Sequence, residues 1–295
     1  MQRKCIIFVV FLLHVFLSAG PTVSENILVL LPVASKSHKN VFEPLISALA
    51  ARNHTLTVVS PVTPSKTRKN VRELVPAQSA DAMSSQFGNP FKIRAQGRGA
   101  MMMNSMSFVF DACRQVYQNP DFRALENEKF DLIFLDAFIN DCMYGLIHKL
   151  GAPFITVVPQ AVPASIAANV GNRLPPSVVP NLMFPYSHHM TFTERLINVA
   201  SLFVTDIMSS FMFLRKAEAV YKEVYGEQVP GVHEMAGNVS MIFSNSHFSL
   251  TFPRPLLHDI VEVGGMHCRE PKPLPQVTFS SFQFSALLLK PQNYK

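Results

Sequence analysis

Short apolar runs alternate with amphipathic stretches along most of the chain. Residues 27–31 are continuously apolar, which is typical of a strand covered on both faces. Apolar positions then recur at helical spacing over residues 42–50, and Asn53 follows where a left-handed residue would end the helix. Residues 56–59 form the next apolar run, which Pro61 closes. This strand–helix–strand order predicts a right-handed crossover in a parallel sheet.

The same order recurs later in the chain. It predicts strands at residues 132–135 and 154–158, with a helix at 142–150 that ends at Gly151 between them. The remaining predicted elements are a long Pro- and Asn-rich loop at 162–185, a mostly helical segment at 191–225, and short strands at 241–243 and 260–263. The predicted fold class is therefore α/β, with a Rossmann-like, doubly wound parallel sheet.

The composition argues against a disordered chain, and the charge distribution argues against a nucleic-acid-binding protein. The chain has 295 residues, of which 48% are hydrophobic and 16% charged, so it can bury a sizeable core and is not disordered. The formal net charge of +6 is spread along the chain. The densest basic run, at Lys66, Arg68 and Lys69, is short and has no aromatic residues within it, so we interpret it as a solvated loop. We expect no nucleic-acid partner.

The N-terminus has the pattern of a secretory signal peptide. Arg3 and Lys4 precede an apolar run at residues 5–17, and small residues follow at 18–20. We therefore expect residues 1–20 to direct the chain to the endoplasmic reticulum, where it stays in the lumen or at the membrane, or is secreted.

No later window is expected to reach the roughly 18 apolar residues that a membrane span needs. Residues 196–214 come closest, but polar residues interrupt them, among them Asn198, Thr205, Asp206, Ser209 and Ser210. We expect this segment to pack on the domain, with contact to a membrane surface as the alternative.

The cysteines carry little information about the site. Without Cys5 of the signal segment, Cys113, Cys142 and Cys268 remain, and this odd number without C-x-x-C spacing indicates neither a disulfide framework nor a zinc site. Asn53 and Asn238 begin N-x-S/T sequons and are candidate glycosylation sites in a lumenal chain.

Two titratable residues fall where ligands bind in an open parallel sheet, beyond the carboxyl ends of the strands. His38 follows the first strand, at the start of its helix, and Asp136 directly follows the strand at residues 132–135. A histidine with a carboxylate partner can act as a general base on a hydroxyl group, because the carboxylate fixes the ring tautomer and stabilises the imidazolium. The alternative is that His38 is a surface or capping residue and Asp136 a turn residue.

Two other α/β functions lack the turn that defines them. A dinucleotide oxidoreductase needs a G-x-G-x-x-G turn after the first strand, but residues 32–38 read PVASKSH, without glycine. A hydrolase of the nucleophile-elbow type needs G-x-S-x-G, which the sequence also lacks.

Several blocks of the sequence resemble the animal UDP-glycosyltransferases of the glucuronosyl and glucosyl type. The similar blocks, in order, are residues 27–32 with Ser37 and His38, 42–50, 52–57, 130–136, 148–154, 244–255, 263–265 and 271–275. The block at 244–255, SNSHFSLTFPRP, is the most specific and is similar to the arthropod members. The family's usual glycine is Asn53 here, a residue that tolerates the left-handed conformation.

The resemblance implies a two-domain fold of the GT-B type, of which this chain would be the N-terminal, acceptor-binding half. It implies that His38 deprotonates the acceptor hydroxyl with Asp136 as its partner. The oxygen would then displace UDP from a UDP-sugar, UDP-glucose or UDP-glucuronate, with inversion. No metal and no bound cofactor are implied.

The resemblance ends after Gln276. We therefore expect residues 21–276 to form the acceptor domain, with an aberrant tail at 277–295 in place of the UDP-sugar domain, and we expect the chain alone to transfer no sugar. The alternatives are a non-catalytic or regulatory partner of full-length relatives, in a homo- or hetero-oligomer, and a carrier of small lipophiles.

The acceptor should be a small lipophilic molecule that contacts the variable loops. The best candidate segments are residues 87–106 and 161–190. Within them we single out Met101, Met102, Met103 and Phe184, because methionine and aromatic side chains suit an adaptable apolar wall. Ordinary core packing is the alternative for each methionine.

Overall fold

A computed structural model of the protein describes residues 24–64, 66–76, 98–181 and 184–268, with only the backbone described for residues 98–107. The predicted signal peptide at residues 1–20 and the predicted tail at 277–295 lie outside the described residues. So do residues 87–97 of the first candidate acceptor segment.

The described residues form one parallel sheet with seven strands in the order β3-β2-β1-β4-β5-β6-β7. The strands are β1 (Asn26–Leu30), β2 (Thr55–Val59), β3 (Val71–Leu74), β4 (Leu132–Asp136), β5 (Phe154–Val158), β6 (Met241–Ser244) and β7 (Ile260–Glu262). All six pairings are parallel. The strand order runs outward in both directions from the β1–β4 pair, so the predicted α/β, doubly wound sheet is confirmed.

Helices connect the strands and cover both faces of the sheet. The described helices are α1 (Lys36–Ala51), α2 (Arg98–Gln118), α3 (Pro120–Ala124), α4 (Tyr144–Leu150), α5 (Ala164–Ala168), α6 (Phe192–Met208), α7 (Arg215–Tyr225), α8 (Val232–Gly237) and α9 (Phe248–Thr251). A π-helical segment, Ser209–Leu214, joins α6 to α7, so the two form one continuous helix of 34 residues.

The alternation of side chains along each central strand divides the core into two clusters. Leu28 and Leu30 of β1 pack on one side with α2, α4 and α7, while Val29 packs on the other side with α1. Successive side chains of a strand point to opposite faces, so a central strand with helices on both sides must be apolar throughout. This explains why β1 and its neighbours read as continuous apolar runs.

The two predicted left-handed stops are confirmed. Asn53 has φ 67° after α1, and Gly151 has φ 65° at the end of α4. Strand β3 was not predicted, because it is a four-residue edge strand in which Arg72 and Glu73 interrupt the apolar pattern. Helix α2 was not predicted either, and the predicted loop at 162–185 contains the short helix α5.

The basic run at residues 66–69 is only partly the solvated loop that we expected. Lys66 and Lys69 are exposed, but Arg68 is largely buried and pairs with Glu43 of α1. Beside it, the buried Lys39 donates to Glu73 Oε2 at 2.8 Å and to the carbonyl of Val62 at 2.8 Å. These ion pairs tie α1 to the edge strand β3.

By length and composition, the continuous helix from Phe192 to Tyr225 could cross a membrane. The expectation that no later segment meets this criterion is therefore wrong. Within residues 196–214 the polar residues are mostly Ser and Thr, which lower the hydropathy of a long helix only slightly and which a helix can gather on one face. The C-terminal part, α7, packs against α2 and α4 and belongs to the core.

The cysteine expectation is also wrong, because Cys113 and Cys142 form a disulfide bond. The bond joins α2 to the turn that precedes α4, across a sequence separation of 29 residues. The odd cysteine count hid this pair, since Cys268 is the free and exposed member. The packing of α2 on this face of the sheet brings the two cysteines together. The spacing of cysteines along the sequence does not show such a contact.

We expect loss of this disulfide to destabilise the fold. A bridge over this separation of 29 residues restricts the unfolded chain and contributes about 3–4 kcal/mol on the chain-entropy model. The double substitution Cys113→Ala with Cys142→Ala should lower the free energy of unfolding in urea by about that amount, and dithiothreitol should have no further effect on it.

Cys268→Ser is the matched control for this prediction. It removes an exposed thiol that forms no disulfide, so its free energy of unfolding should equal that of the parent protein and should fall equally with dithiothreitol. A parent protein whose unfolding does not respond to dithiothreitol would contradict the pairing.

Candidate functional site

The site lies where the strand order of the sheet reverses. From β1 the chain continues outward through β2 and β3, and it then returns to the other side of β1 to form β4. The connections after β1 and β4 therefore diverge and leave a crevice at the carboxyl ends of these two strands, where ligands bind in folds of this class. Both predicted catalytic residues lie at this crevice.

His38 and Asp136 are in direct contact. His38 is the third residue of α1, and Asp136 is the last residue of β4. Nδ1 of His38 lies 2.9 Å from Oδ2 of Asp136. The imidazole side chain is 19% exposed and the carboxylate is fully buried, so solvent and ligands can reach the pair only through the ring.

The Asp136 carboxylate accepts two further hydrogen bonds. The backbone N–H of Phe138 donates to Oδ1 at 3.3 Å, and Nδ2 of Asn140 donates to Oδ2 at 3.3 Å. Burial raises the pKa of Asp136 above its ordinary value, while the hydrogen bond and charge of His38 and the Phe138 N–H act in the opposite direction. The protein thus holds a buried carboxylate whose charge depends on its donors.

Asn140 fastens the Asp136 loop to the loop after β1. It is fully buried, its Oδ1 accepts from the backbone N–H of Val33 at 3.0 Å, and its Nδ2 donates to the Val33 carbonyl at 3.2 Å. Nδ2 also donates to the Phe138 carbonyl at 2.8 Å. One amide side chain therefore joins the two loops that carry His38 and Asp136.

The loop that holds Asn140 has a strained backbone. Ile139 has φ 58°, a left-handed conformation that a β-branched residue rarely adopts. Strain of this kind costs roughly 1–3 kcal/mol and persists where surrounding contacts impose it. The hydrogen bonds of Asn140 impose it here, because they fix the residues on both sides of Ile139.

Sequence reasoning missed Asn140. The available signal was its place in a short turn, four residues after a carboxylate that ends a central strand. That signal is weak, because most asparagines in turns hydrogen-bond only to their own segment. Its partners after β1 are 107 residues away in sequence.

The arrangement can perform general-base chemistry. With the Nδ1 proton shared with Asp136, the unprotonated Nε2 is the accepting atom of the ring, and Nε2 has no hydrogen-bond partner among the described residues. The Phe138 ring lies 5.0 Å from the imidazole, centroid to centroid, and limits its rotation. A hydroxyl group that approached Nε2 could donate its proton there.

A cavity of about 210 Å³ opens at the same edge of the sheet, after β5. Its walls come from the β5–α5 connection, from the loop before α6 and from the inner side of α6, and they include Val162, Leu174, Val179, Leu202 and Arg254. Most of these residues belong to the predicted acceptor segment at 161–190, but that role stays a prediction.

The individual acceptor candidates are less well placed. Phe184 is partly buried and stacks on Tyr186 at 5.0 Å between ring centroids. It is not itself among the residues that line the cavity, although its backbone N–H donates to the carbonyl of Asn181, which does line it. Met101, Met102 and Met103 lie in the first half of α2, where side chains are outside the described residues. Their proposed contact with an acceptor is untested.

A second, much smaller cavity of about 20 Å³ lies against the buried side of Asp136. Asp141, Tyr144 and Thr156 also line it, and a space of this size can hold one water molecule. Burial is the largest cause that raises the pKa of Asp141 to about 6; the charge of Asp136 acts in the same direction, and hydrogen bonds to the Asp141 carboxylate, including that of Tyr144, act against it. Two carboxyl groups therefore share a poorly solvated space behind the His38 pair.

The other predicted sites are exposed positions. Asn53 and Asn238 are both exposed, as attachment of a glycan requires, and their glycosylation stays a prediction. Within the described ranges, the structure groups no three His, Cys, Asp or Glu side chains in a way that could hold a metal ion.

Comparisons with known proteins agree on one family. UDP-glycosyltransferase UGT4 of Dactylopius coccus is 28% identical over 264 residues, which cover 87% of this chain and 52% of that protein. Human UDP-glucuronosyltransferase 2B17 is 34% identical over 155 residues, or 52% of this chain and 29% of that protein. The chain thus spans about half the length of the first of these relatives, and less of the human one.

A solved structure and a family profile complete the comparison. The structure of Arabidopsis thaliana UGT89C1 complexed with UDP-L-rhamnose is 16% identical, with a TM-score of 0.43 over 90% of this chain and 55% of that chain. The profile of the family described as "UDP-glucoronosyl and UDP-glucosyl transferase" matches residues 26–286, which is nearly the whole chain. The chain therefore belongs to the UDP-glucuronosyl and UDP-glucosyl transferase family.

Proposed function

We propose that the described residues form the acceptor-binding half of a two-domain, GT-B type UDP-glycosyltransferase. The reaction is transfer of a hexosyl group from UDP-glucose or UDP-glucuronate to the hydroxyl group of a small lipophilic acceptor. The 2.9 Å hydrogen bond between His38 and the buried Asp136 carries this proposal. Membership of the family supports the reaction class.

In the proposed mechanism, the acceptor hydroxyl donates a hydrogen bond to Nε2 of His38. The proton moves to Nε2 as the acceptor oxygen attacks the anomeric carbon of the sugar, and the bond from that carbon to the UDP oxygen breaks with inversion. The Asp136 carboxylate stabilises the imidazolium that forms and keeps Nδ1 protonated throughout. Its burial strengthens this effect, because the interaction is poorly screened by water.

The cavity after β5 supports the choice of acceptor class. Its lining is largely apolar, and at about 210 Å³ it suits a molecule of the size of a substituted phenol. It lies at the same sheet edge as His38, since β5 is the neighbour of β4. Arg254 on its wall donates to the Val162 carbonyl at 2.9 Å and fixes the wall rather than offering a free charge.

Asp141 bears on the charge of this site. Its pKa of about 6 lies above the ordinary value of 3.8, so the folded protein binds this proton more tightly than the unfolded chain does. Protonation of Asp141 therefore stabilises the folded protein, and this contribution is complete only at a pH below the ordinary pKa of 3.8. This stabilisation is lost as the pH rises through the folded pKa.

The first prediction concerns His38 as the base. 4-Nitrophenol and its ring-substituted relatives change their visible absorbance on ionisation, so a bound phenol reports its own proton transfer. We expect the parent chain to raise the ionised fraction of the bound phenol, and His38→Gln to abolish this rise while leaving binding in equilibrium dialysis within about threefold. In any preparation that transfers sugar and so releases UDP, His38→Gln should slow the release of UDP by about 10²–10⁴-fold.

His148→Gln is the matched control for this experiment. His148 is an exposed residue near the end of α4, at the opposite edge of the sheet, so its loss should change neither binding nor ionisation. Equal ionisation of the bound phenol by the parent and His38→Gln proteins would contradict the assigned base, and failure of the whole phenol panel to bind would contradict the acceptor class.

The second prediction concerns Asn140 as a positioning residue. Asn140→Ala leaves the N–H and carbonyl of Val33 buried without this partner, and we expect a loss of about 2–4 kcal/mol in the free energy of unfolding. Because the substitution also releases the Asp136 loop, the ionised fraction of bound phenol should fall. Asn245→Ala, which removes one bond to the Pro159 carbonyl, should cost about 1 kcal/mol and leave the ionised fraction unchanged. An Asn140→Ala protein with parental phenol ionisation would contradict the positioning role.

The third prediction concerns Asp141 and pH. Asp141→Asn removes the titrating group, so between about pH 4 and pH 8 the parent protein should lose about 2–3 kcal/mol of stability relative to this variant, given a folded pKa of about 6. Urea unfolding at a series of pH values measures the difference. Parallel pH curves for the two proteins would show that Asp141 titrates normally.

A further inference from the structure

Helix α6 and the π-helical segment after it expose an apolar face. Phe192, at 81%, and Phe203, at 67%, are among the most exposed large side chains of the described residues. The exposed apolar side chains recur every three or four residues and therefore lie on one side of the helix. They are Phe192, Leu196, Val199, Phe203, Ile207 and Phe211. Water-soluble domains rarely leave an apolar stripe of this length uncovered.

The opposite side of α6 is polar and faces the domain. Asn198 is fully buried, donates to the carbonyls of Pro176 and Val179 at 2.7 and 3.0 Å, and accepts from the backbone N–H of Asn181 at 2.7 Å. Ser201, one turn further, accepts from Nδ2 of Asn181 at 3.3 Å. The polarity of α6 is therefore the reverse of that of an ordinary surface helix.

These inward hydrogen bonds decide between a spanning helix and a surface helix. A helix that crossed a bilayer could not also keep Asn198 bonded to the loop at residues 176–181 or keep α7 packed in the domain core. The fixed inner side and the apolar outer side together describe a helix that lies in the plane of an interface.

The charges at the two ends of the apolar face indicate which surface covers it. Arg195 lies near its start, and Arg215 and Lys216 lie at its end; all three are exposed and form no salt bridge within the described ranges, although Nε of Arg195 donates to the Met190 carbonyl. Between Arg195 and Arg215, Asp206 is the one charged residue of the helix, so the basic groups remain in excess. The Arg215 guanidinium lies 4.5 Å from the centre of the exposed Phe211 ring. Basic groups beside interfacial aromatic side chains match the anionic headgroups above a layer of acyl chains.

A second copy of the chain fits these charges less well. In an antiparallel pair of α6 helices, Arg195 of one copy would meet Arg215 and Lys216 of the other, and in a parallel pair each basic end would meet itself. Glu194 could offset this repulsion, but its carboxylate already accepts from the backbone N–H and hydroxyl of Thr191 at 2.7 and 2.9 Å.

We propose that the apolar outer face of α6, with Arg195, Arg215 and Lys216 at its ends, docks on the surface of an anionic lipid bilayer. The helix then lies parallel to the membrane plane, with its phenylalanine side chains among the acyl chains and the basic groups at the headgroups. Leu202 and Thr205, on the other side of α6, line the 210 Å³ cavity. Docking would place that cavity about one helix diameter, roughly 10 Å, from the lipid.

The absence of tryptophan from the sequence provides a local probe of this docking. Phe203→Trp in the full chain gives a single fluorophore on the apolar face, and Phe248→Trp gives one at an exposed aromatic position outside it. With vesicles of phosphatidylcholine and phosphatidylserine, we expect blue-shifted emission and quenching by acyl-chain-brominated lipid at position 203 only. This local readout is independent of any attachment through the apolar N-terminal segment.

The charge component has its own test in the Phe203→Trp protein. Arg215→Gln with Lys216→Gln should weaken its affinity for anionic vesicles by about 30-fold, since each basic residue near such a surface contributes roughly a factor of five. Arg72→Gln, at a basic residue on the edge strand β3, is the control and should leave the affinity unchanged. Thermal unfolding of each variant verifies that the fold persists.

Three results would overturn the proposal. The first is a Phe203→Trp probe that bound vesicles leave unquenched, which would place the attachment elsewhere. The second is a blue shift that depends on protein concentration without vesicles, which would show that a second copy covers the face. The third is an affinity for anionic vesicles that the double charge substitution leaves unchanged.

Discussion

The parallel pairing of β1 with β4 is the constraint on which the site depends. The register pairs Ile27 with Leu132 and Leu30 with Leu135, and it is fixed at both ends by side chains. At the start, Asp131 Oδ2 accepts from the backbone N–H of Asn26 at 2.8 Å, and at the far end Asn140 bonds the backbone of Val33. A slip of one residue would turn every side chain of β4 to the other face, so Asp136 could no longer meet His38.

The Asp136 carboxylate of the site is buried, and the groups around it neutralise its charge only in part. A carboxylate without access to water is unfavourable unless donors surround it, and Asp136 receives donors from His38, Phe138 and Asn140. The left-handed Ile139 shows that the protein accepts backbone strain to place those donors. Such departures from local preference concentrate at functional sites, and this one lies beside the residue that we propose as the base.

Helix α6 shows that polar contacts, rather than apolar burial, can decide how a helix sits on a domain. Asn198 and Ser201 face inward because the loop at residues 176–181 presents backbone groups and an amide that need partners. The apolar side is left outward as a consequence. In the proposed function, this links a surface suited to lipid with a cavity suited to a lipophilic acceptor, on the two sides of one helix.

The sequence by itself determined the α/β class, six of the seven strands, the helices α1, α4, α6 and α7, and the positions of His38 and Asp136 at or after the ends of strands. It could do so because periodicity along the chain records which faces are buried, and because the carboxyl ends of parallel strands share one edge. The edge strand β3, the Cys113–Cys142 bond and Asn140 carry no comparable local signal. Only the tertiary structure decided them, since each depends on which segments, distant in sequence, the strand order and helix packing bring into contact.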